Sequence, residues 1–292
     1  MSNDNPFKWP VSAEIEELNS ALYWLPKVLD VAPVPRTKIV KYDHMKAVLW
    51  LEGVDGGDAP LEALRDVADA MGYPLFLRTD LSSAKHEGPL AYKVASPGDI
   101  ERAFARTVED NEMKFWLSPI APKAILLREW LDLKFAFTAF GGHRIAREFR
   151  VFVKYGEVAC KHFYWPADAI EGNFHERETE DMWMADGPEP PRWREGLKSL
   201  SVLSAGESSY LGTMSVLAAM RCDAHPFWSV DWAQDIGGKW WLIDMAVGER
   251  SEHVAFDPTL GCRVAVGVKP QKKPEHEAFF EETANAVAGM VD

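Results

Sequence analysis

Apolar and polar positions along this chain repeat with two different periods, and the switches between them mark out helices and strands in mixed order. Ile15, Leu18, Leu22 and Leu25 share one helical stripe, which Ser12 can cap and Pro26 is expected to stop. Leu61, Leu64, Ala68 and Met71 predict a second amphipathic helix, with Gly72 as its C-terminal residue. Ser96-Pro97-Gly98-Asp99 reads as an N-cap with proline in the first helical position, opening a helix with Ile100, Phe104 and Val108 inward. Trp193 to Met220 is helical in pattern and is expected to divide at Gly206; Pro274 opens a terminal helix with Phe279, Phe280, Ala284 and Val287 inward. Strands are expected over Thr37–Val40, Met45–Leu51, the Gly72–Asp80 stretch, Leu90–Val94, Ile125–Leu131 and Val254–Val268. Pro166 to Arg192 is acidic, punctuated by Pro and Gly, and reads as a long surface insertion.

Two hairpins carry the chemistry. In Ser229–Glu249, two Trp- and Ile-containing runs flank Gly237-Gly238, and a turn centred between the glycines sets Asp231 opposite Asp244 on one face. Carboxylates held at about 5 Å between Cβ atoms repel. A bound divalent cation would offset them, since Mg²⁺ is held by one or two carboxylates together with phosphate oxygens. Two solvated acids on an exposed face fit the same pattern. The other hairpin, Glu148–Phe163, turns at Tyr155-Gly156 and is expected to set Arg150 opposite Lys161. Opposed cations need an anion between them unless they are solvated at an exposed edge. One hairpin thus offers paired anions and the other paired cations.

Further positive charge comes from Arg78 at the end of an apolar strand, from Lys85 in the small-residue loop Leu81–Pro89, and from Lys93 on the returning strand. Loops of small residues let backbone N–H groups approach an anion. The net charge of −13 argues against nucleic acid or an anionic membrane as the main partner, but leaves room for one basic pocket. Hydrophobic residues make up 47% of the chain and charged residues 26%, a globular balance. Cys160, Cys222 and Cys262 are odd in number and widely spaced, which favours a reducing setting; with no signal-like N-terminus and no long apolar run, the expected location is cytoplasmic. No HExxH spacing, GxSxG elbow, P-loop or GxGxxG occurs, so zincin, serine-hydrolase, Walker and Rossmann readings fall away. Taken alone, Glu129 in its strand reads as structural.

The order of pieces from Val34 onward, VPRT, YPLFLRTD, SPGDIERAF, ILLREWL, EFRVFVKYGEVAC and SVDWAQDIGGKWWLIDMAVG, resembles the ATP-grasp superfamily across roughly Pro33 to Arg250. It is most similar to the cell-division-cycle protein 123-like families. The resemblance implies an α+β fold in which two lobes with antiparallel sheets clamp ATP. It divides the chain into a helical lead-in (1–32), an N-terminal lobe (33–124), a C-terminal lobe (125–270) carrying the insertion at 166–192, and a C-terminal helix (271–292). By motif, it implies phosphate contacts for Arg78, Lys85 and Lys93, an adenine linker at Glu129, Trp130 and Leu131, and a catalytic cation at Arg150, with Lys161 opposite it. It also implies Mg²⁺ ligands at Asp231 and Asp244. The family usually has Asn two residues after the second acid; here Ala246 cannot ligate, so either Glu249 substitutes as a metal ligand or only one Mg²⁺ is bound tightly. The implied activity is ATP- and Mg²⁺-dependent joining of a small-molecule or peptide carboxylate to an amine through an acylphosphate. The alternative is an ATP-binding assembly or chaperone-like factor with a protein partner, since the cell-division-cycle-like relatives act on a translation initiation factor complex. Phosphoryl transfer to a hydroxyl is a third possibility.

Overall fold

The computed structural model describes residues 12–83, 89–115, 118–140, 142–165, 167, 170–171 and 192–249. Lys85, nearly all of the acidic insertion, and the expected strand and helix beyond residue 250 lie outside them. A first four-stranded sheet, in spatial order β1-β4-β2-β3, consists of β1 (Thr37–Lys41), β2 (Leu75–Thr79), β3 (Lys93–Val94) and β4 (Ala124–Glu129). All its pairings are antiparallel. Ile125 and Leu127 on β4 pack with Leu64, Ala68, Ile100 and Phe104, from helices α4 (Leu61–Met71) and α6 (Ile100–Phe115). Ala124 and Leu126 alternate to the opposite face and join a second core. Buried on both faces, the Ala124–Leu127 part of β4 reads as an unbroken apolar run, followed by Arg128 and Glu129. The strand expected to open the second lobe therefore belongs to the first sheet.

Several local expectations shift for identifiable reasons. The stripe at Ile15–Leu25 is two helices, α1 (Ala13–Asn19) and α2 (Ala21–Val28). They break at Ser20, whose hydroxyl accepts from Leu22 N and donates to buried Asp80. Pro26 lies within α2 and does not stop it. Met45–Leu51 lies within a helix, α3 (His44–Leu51), started by the Asp43 side chain accepting from Lys46 N; a short apolar run cannot be told from a strand by periodicity. Pro89–Tyr92 forms a helical turn, α5, and only Lys93–Val94 returns as strand. The long helical pattern divides not at Gly206 but just before it, into α7 (Trp193–Leu200) and α8 (Ala205–Arg221). There Ser204 and Glu207 form a capping box.

The second four-stranded sheet, in order β10-β9-β7-β8, is built from the two predicted hairpins: β7 (Glu148–Lys154) with β8 (Glu157–Phe163), and β9 (Phe227–Gln234) with β10 (Trp240–Val247). A separate ribbon, β5 (Phe135–Ala139) with β6 (His143–Ala146), was not predicted. Helices α1 and α2 pack into the core of this sheet: Trp24, Leu25 and Val28 lie with Val151, Trp228, Trp232 and Leu242, and Val247 N donates to Asn19. The lead-in is thus part of the second core.

Both hairpins carry a bulge. At Tyr155-Gly156 the turn forms as expected, with both residues at positive φ. An irregularity between Phe152 and Val153 then moves the register by one residue. Arg150 consequently faces His162, and Lys161 pairs with Val151. In the other hairpin Asp235 N donates to Lys239 O, so the loop is the three residues Ile236–Gly238, with Gly238 at φ +86°. That loop alone would set Ile243 opposite Asp231. A bulge between Leu242 and Asp244 restores the Asp231–Asp244 pairing.

Candidate functional site

A cavity of about 300 Å³ lies between the two sheets. Its walls combine the open face of the first sheet (Phe76, Arg78, Lys93, Arg128), the connection Glu129–Leu131 and the face of the second sheet bearing Arg150, Asp231 and Asp244. Aromatic side chains line one end: the Tyr92 and Trp130 rings lie 6.3 Å apart and 12° from parallel, and Phe76 stands 4.9 Å from Tyr92. The Tyr92 hydroxyl meets His143 Nδ1 at 2.5 Å, joining α5 to the β5–β6 ribbon over this end.

Asp244, Asp231, Arg150 and His162 form one line across four strands, because each is the register partner of the next. Arg150 donates to both oxygens of Asp231 at 2.7 Å, a bidentate fork. Burial works against the Arg150 charge, but Asp231, aided by Tyr164 and Asp244, more than offsets it and raises the guanidinium pKa. Asp244 is held from the opposite sheet by Arg78 Nη1 at 3.0 Å. The two facing carboxylates are therefore neutralised by two arginines, one from each sheet. Carboxylate repulsion at this turn is offset without a metal.

Most of the sequence-predicted residues converge here: Arg78, Lys93, Glu129, Trp130, Leu131, Arg150, Asp231 and Asp244 all line the cavity. Lys93 Nζ stands 5.0 Å over the Trp130 ring. The Glu129 carboxylate accepts from Arg36 N at 2.7 Å, so its side chain ties down the chain entering β1. Lys161 is elsewhere. The register slip at Phe152/Val153 sends it to the other face of the sheet, where its ammonium donates to Ser208 O and Oγ at 2.8 Å. Its proximity to Arg150 is corrected accordingly. The expected substitute ligand Glu249 does not line the cavity either; its carboxylate lies 3.7 Å from His225 Nε2.

Arg128 was missed. It sits on β4 two residues before Trp130, is 4% exposed, and lines the cavity. Its Nη1 donates to Ile243 O, the carbonyl at the β10 bulge, at 2.5 Å. Nε and Nη2 have no hydrogen-bond partner among the described residues. Burial, reinforced by the neighbouring Arg78 and opposed by Asp244, pushes its pKa down to about 9. An arginine directly after the apolar run Ala124–Leu127, next to Glu129 and Trp130, was the available signal.

No protein-family model matches the chain, and no curated protein matches it. Solved structures do. Cdc123 from Schizosaccharomyces pombe superposes with a TM-score of 0.54 at 12% identity, covering 89% of this chain and 96% of that one. Its C-terminally truncated form gives 0.52 at 13%, with the same coverage. The chain shares the overall fold of Cdc123. A looser superposition, TM-score 0.44 at 12% identity, aligns 87% of this chain with 57% of the ATP-grasp ligase PsnB complexed with minimal precursor, Mg and ADP. At these identities the likeness to Cdc123 speaks for the fold alone.

Within this cleft, the fit to a divalent cation can be judged from the donors. Asp231 and Asp244 are hard oxygen donors on facing strands, suited in kind to Mg²⁺. In number they fall short: Ala246 has no donor, and no cluster of three or more His, Cys, Asp or Glu able to hold a metal occurs among the described residues. The pair fits Mg²⁺ only as the protein half of a shell that a ligand's oxygens complete.

Proposed function

We propose that the cavity binds ATP with Mg²⁺ and that the chain uses it to join a carboxylate to an amine through an acylphosphate. The observation that carries the reading is the line Asp244–Asp231–Arg150, with Arg78 reaching Asp244 from the other sheet. Such a line supplies both signs of charge to a triphosphate and its cation within one cleft. The adenine would lie at Trp130 and Tyr92, bordered by Glu129 and Leu131, and the phosphates would extend toward Arg78 and Lys93, with Lys85 proposed from the sequence as a further phosphate contact. Mg²⁺, when bound with the nucleotide, neutralises phosphate charge beside Asp231 and Asp244. Arg150, already held in its rotamer, would stabilise charge building on the terminal phosphate as a substrate carboxylate attacks it. The substrates are a small-molecule or peptide acid and an amine, and the proposed setting is cytoplasmic.

Ala246 favours a second reading, an ATP-binding assembly or chaperone-like factor without ligase chemistry, because the position two residues after Asp244 offers no ligand. Calorimetric titration with Mg-ATP tests binding, and no detectable heat or competition would reject both readings. A screen of acids and amines for ADP release with amide formation separates them: tight binding without amide in any pairing favours the assembly factor.

A further inference from the structure

Arg128 is a buried arginine of this cavity whose hydrogen bonding is incomplete among the described residues. Arg78 is paired with Asp244 and Arg150 with Asp231, whereas Arg128 uses one N–H on Ile243 O and has no acceptor for Nε and Nη2 among the described residues. A buried guanidinium beside a second one is costly unless an anion meets it. Its place in the sheet indicates which anion. Arg128 pairs across the ladder with Phe76, itself paired with Lys93, and it adjoins Glu129 and Trp130. Arg78 pairs with Leu126, two residues farther from that connection, or about 7 Å along the strand.

Resting on the proposed nucleotide site, we infer that Arg128 binds the phosphate nearest the ribose, through Nε and Nη2, while Arg78 serves the outer phosphates. A nucleotide with its base at Trp130 meets Arg128 before Arg78. The two unpartnered N–H groups form an edge of the guanidinium fork, a geometry matched to two oxygens of one phosphate. The inner phosphate would thus be recognised without disturbing either arginine–aspartate pair. The outer phosphates would have to draw Arg78 from Asp244.

Titrations of adenosine, AMP and ATP without added metal, on wild type, Arg128→Gln, Arg128→Lys and Arg78→Gln, test this. Wild type should bind AMP at least about tenfold tighter than adenosine, as expected for charge-assisted hydrogen bonds to one phosphate. Arg128→Gln should lose most of that AMP-over-adenosine gain. Arg78→Gln should keep it and lose the further gain of ATP over AMP. Arg128→Lys, which preserves the charge but not the fork, should lose more than half of the AMP gain in free energy, and it decides the matter if the glutamine variant does not fold. A purely structural clasp on Ile243 predicts reduced stability with an unchanged AMP-to-adenosine ratio, and that result overturns the assignment. So does equal loss of the ratio in Arg78→Gln. Failure of wild type to bind any of the three overturns the nucleotide site itself.

Discussion

Arg78 and Asp244 lie on different sheets and meet in a 3.0 Å ion pair, with the arginine buried and the aspartate about one-third exposed. The contact joins the two sheets at the point where a triphosphate is proposed to enter. A ligand that needs both groups must separate them.

Metal binding should therefore depend on nucleotide. With Asp231 forked to Arg150 and Asp244 held by Arg78, Mg²⁺ alone has two engaged carboxylates and no third acid to recruit among the described residues. Calorimetry should detect no Mg²⁺ binding below millimolar concentration without ATP, and clear Mg²⁺ enhancement of ATP affinity. Tight Mg²⁺ binding to the free protein would contradict this arrangement.

Removing a carboxylate should destabilise the free protein, which reverses what repulsion alone implies. Asp231→Ala leaves Arg150 buried without its partner, an effect of about 3–5 kcal/mol for a broken buried pair. Asp244→Ala should cost less, because that pair is partly solvated. Urea denaturation of the two variants checks the order; a more stable Asp231→Ala would mean that repulsion dominates.

Lys161 should be silent in ligand binding. Its ammonium serves α8 through Ser208 on the far face of the sheet, so Lys161→Met should leave ATP affinity within about twofold, while Arg150→Met should lower it at least about tenfold. Comparable losses in both variants would return Lys161 to the site.

Acid should weaken the fold through Glu207. Its hydrogen bonds from Arg147, aided by Ser204 against the opposing effect of burial, lower its pKa from 4.5 to about 2. A depressed carboxylate contributes fully above its unfolded pKa, and the contribution disappears as pH falls from about 4.5 to about 2. Melting temperatures measured across that window should fall more steeply for wild type than for Glu207→Gln.

The elements that position the site were largely legible, because turns and caps are written locally. Tyr155-Gly156 and the Ser96–Asp99 capping box formed where their residues imply, and a hairpin turn formed at Gly237-Gly238, though with a three-residue loop centred on Gly237. The bulges were not legible. Nothing in the alternation at Phe152–Cys160 or Leu242–Asp244 announces an extra residue, since bulges are set by how strands meet their neighbours. One slip cost Lys161 its place beside Arg150; the other preserved the facing aspartates by a route the turn did not reveal. Arg128 escaped notice because its importance lies in what its nitrogens lack, which no spacing rule records.

The bulge at Ile243 also limits what substitution experiments can reveal. The group that Arg128 grips is a main-chain carbonyl, which every amino acid at that position would supply. An alanine scan would score the residue by its side chain and pass over the fastening. Deleting Ile243 would instead close the bulge and leave Asp244 next after Leu242, still opposite Asp231. The acids would keep their alignment while the two sheets lost a rivet, so a one-residue deletion can report the mechanical coupling separately from the chemistry.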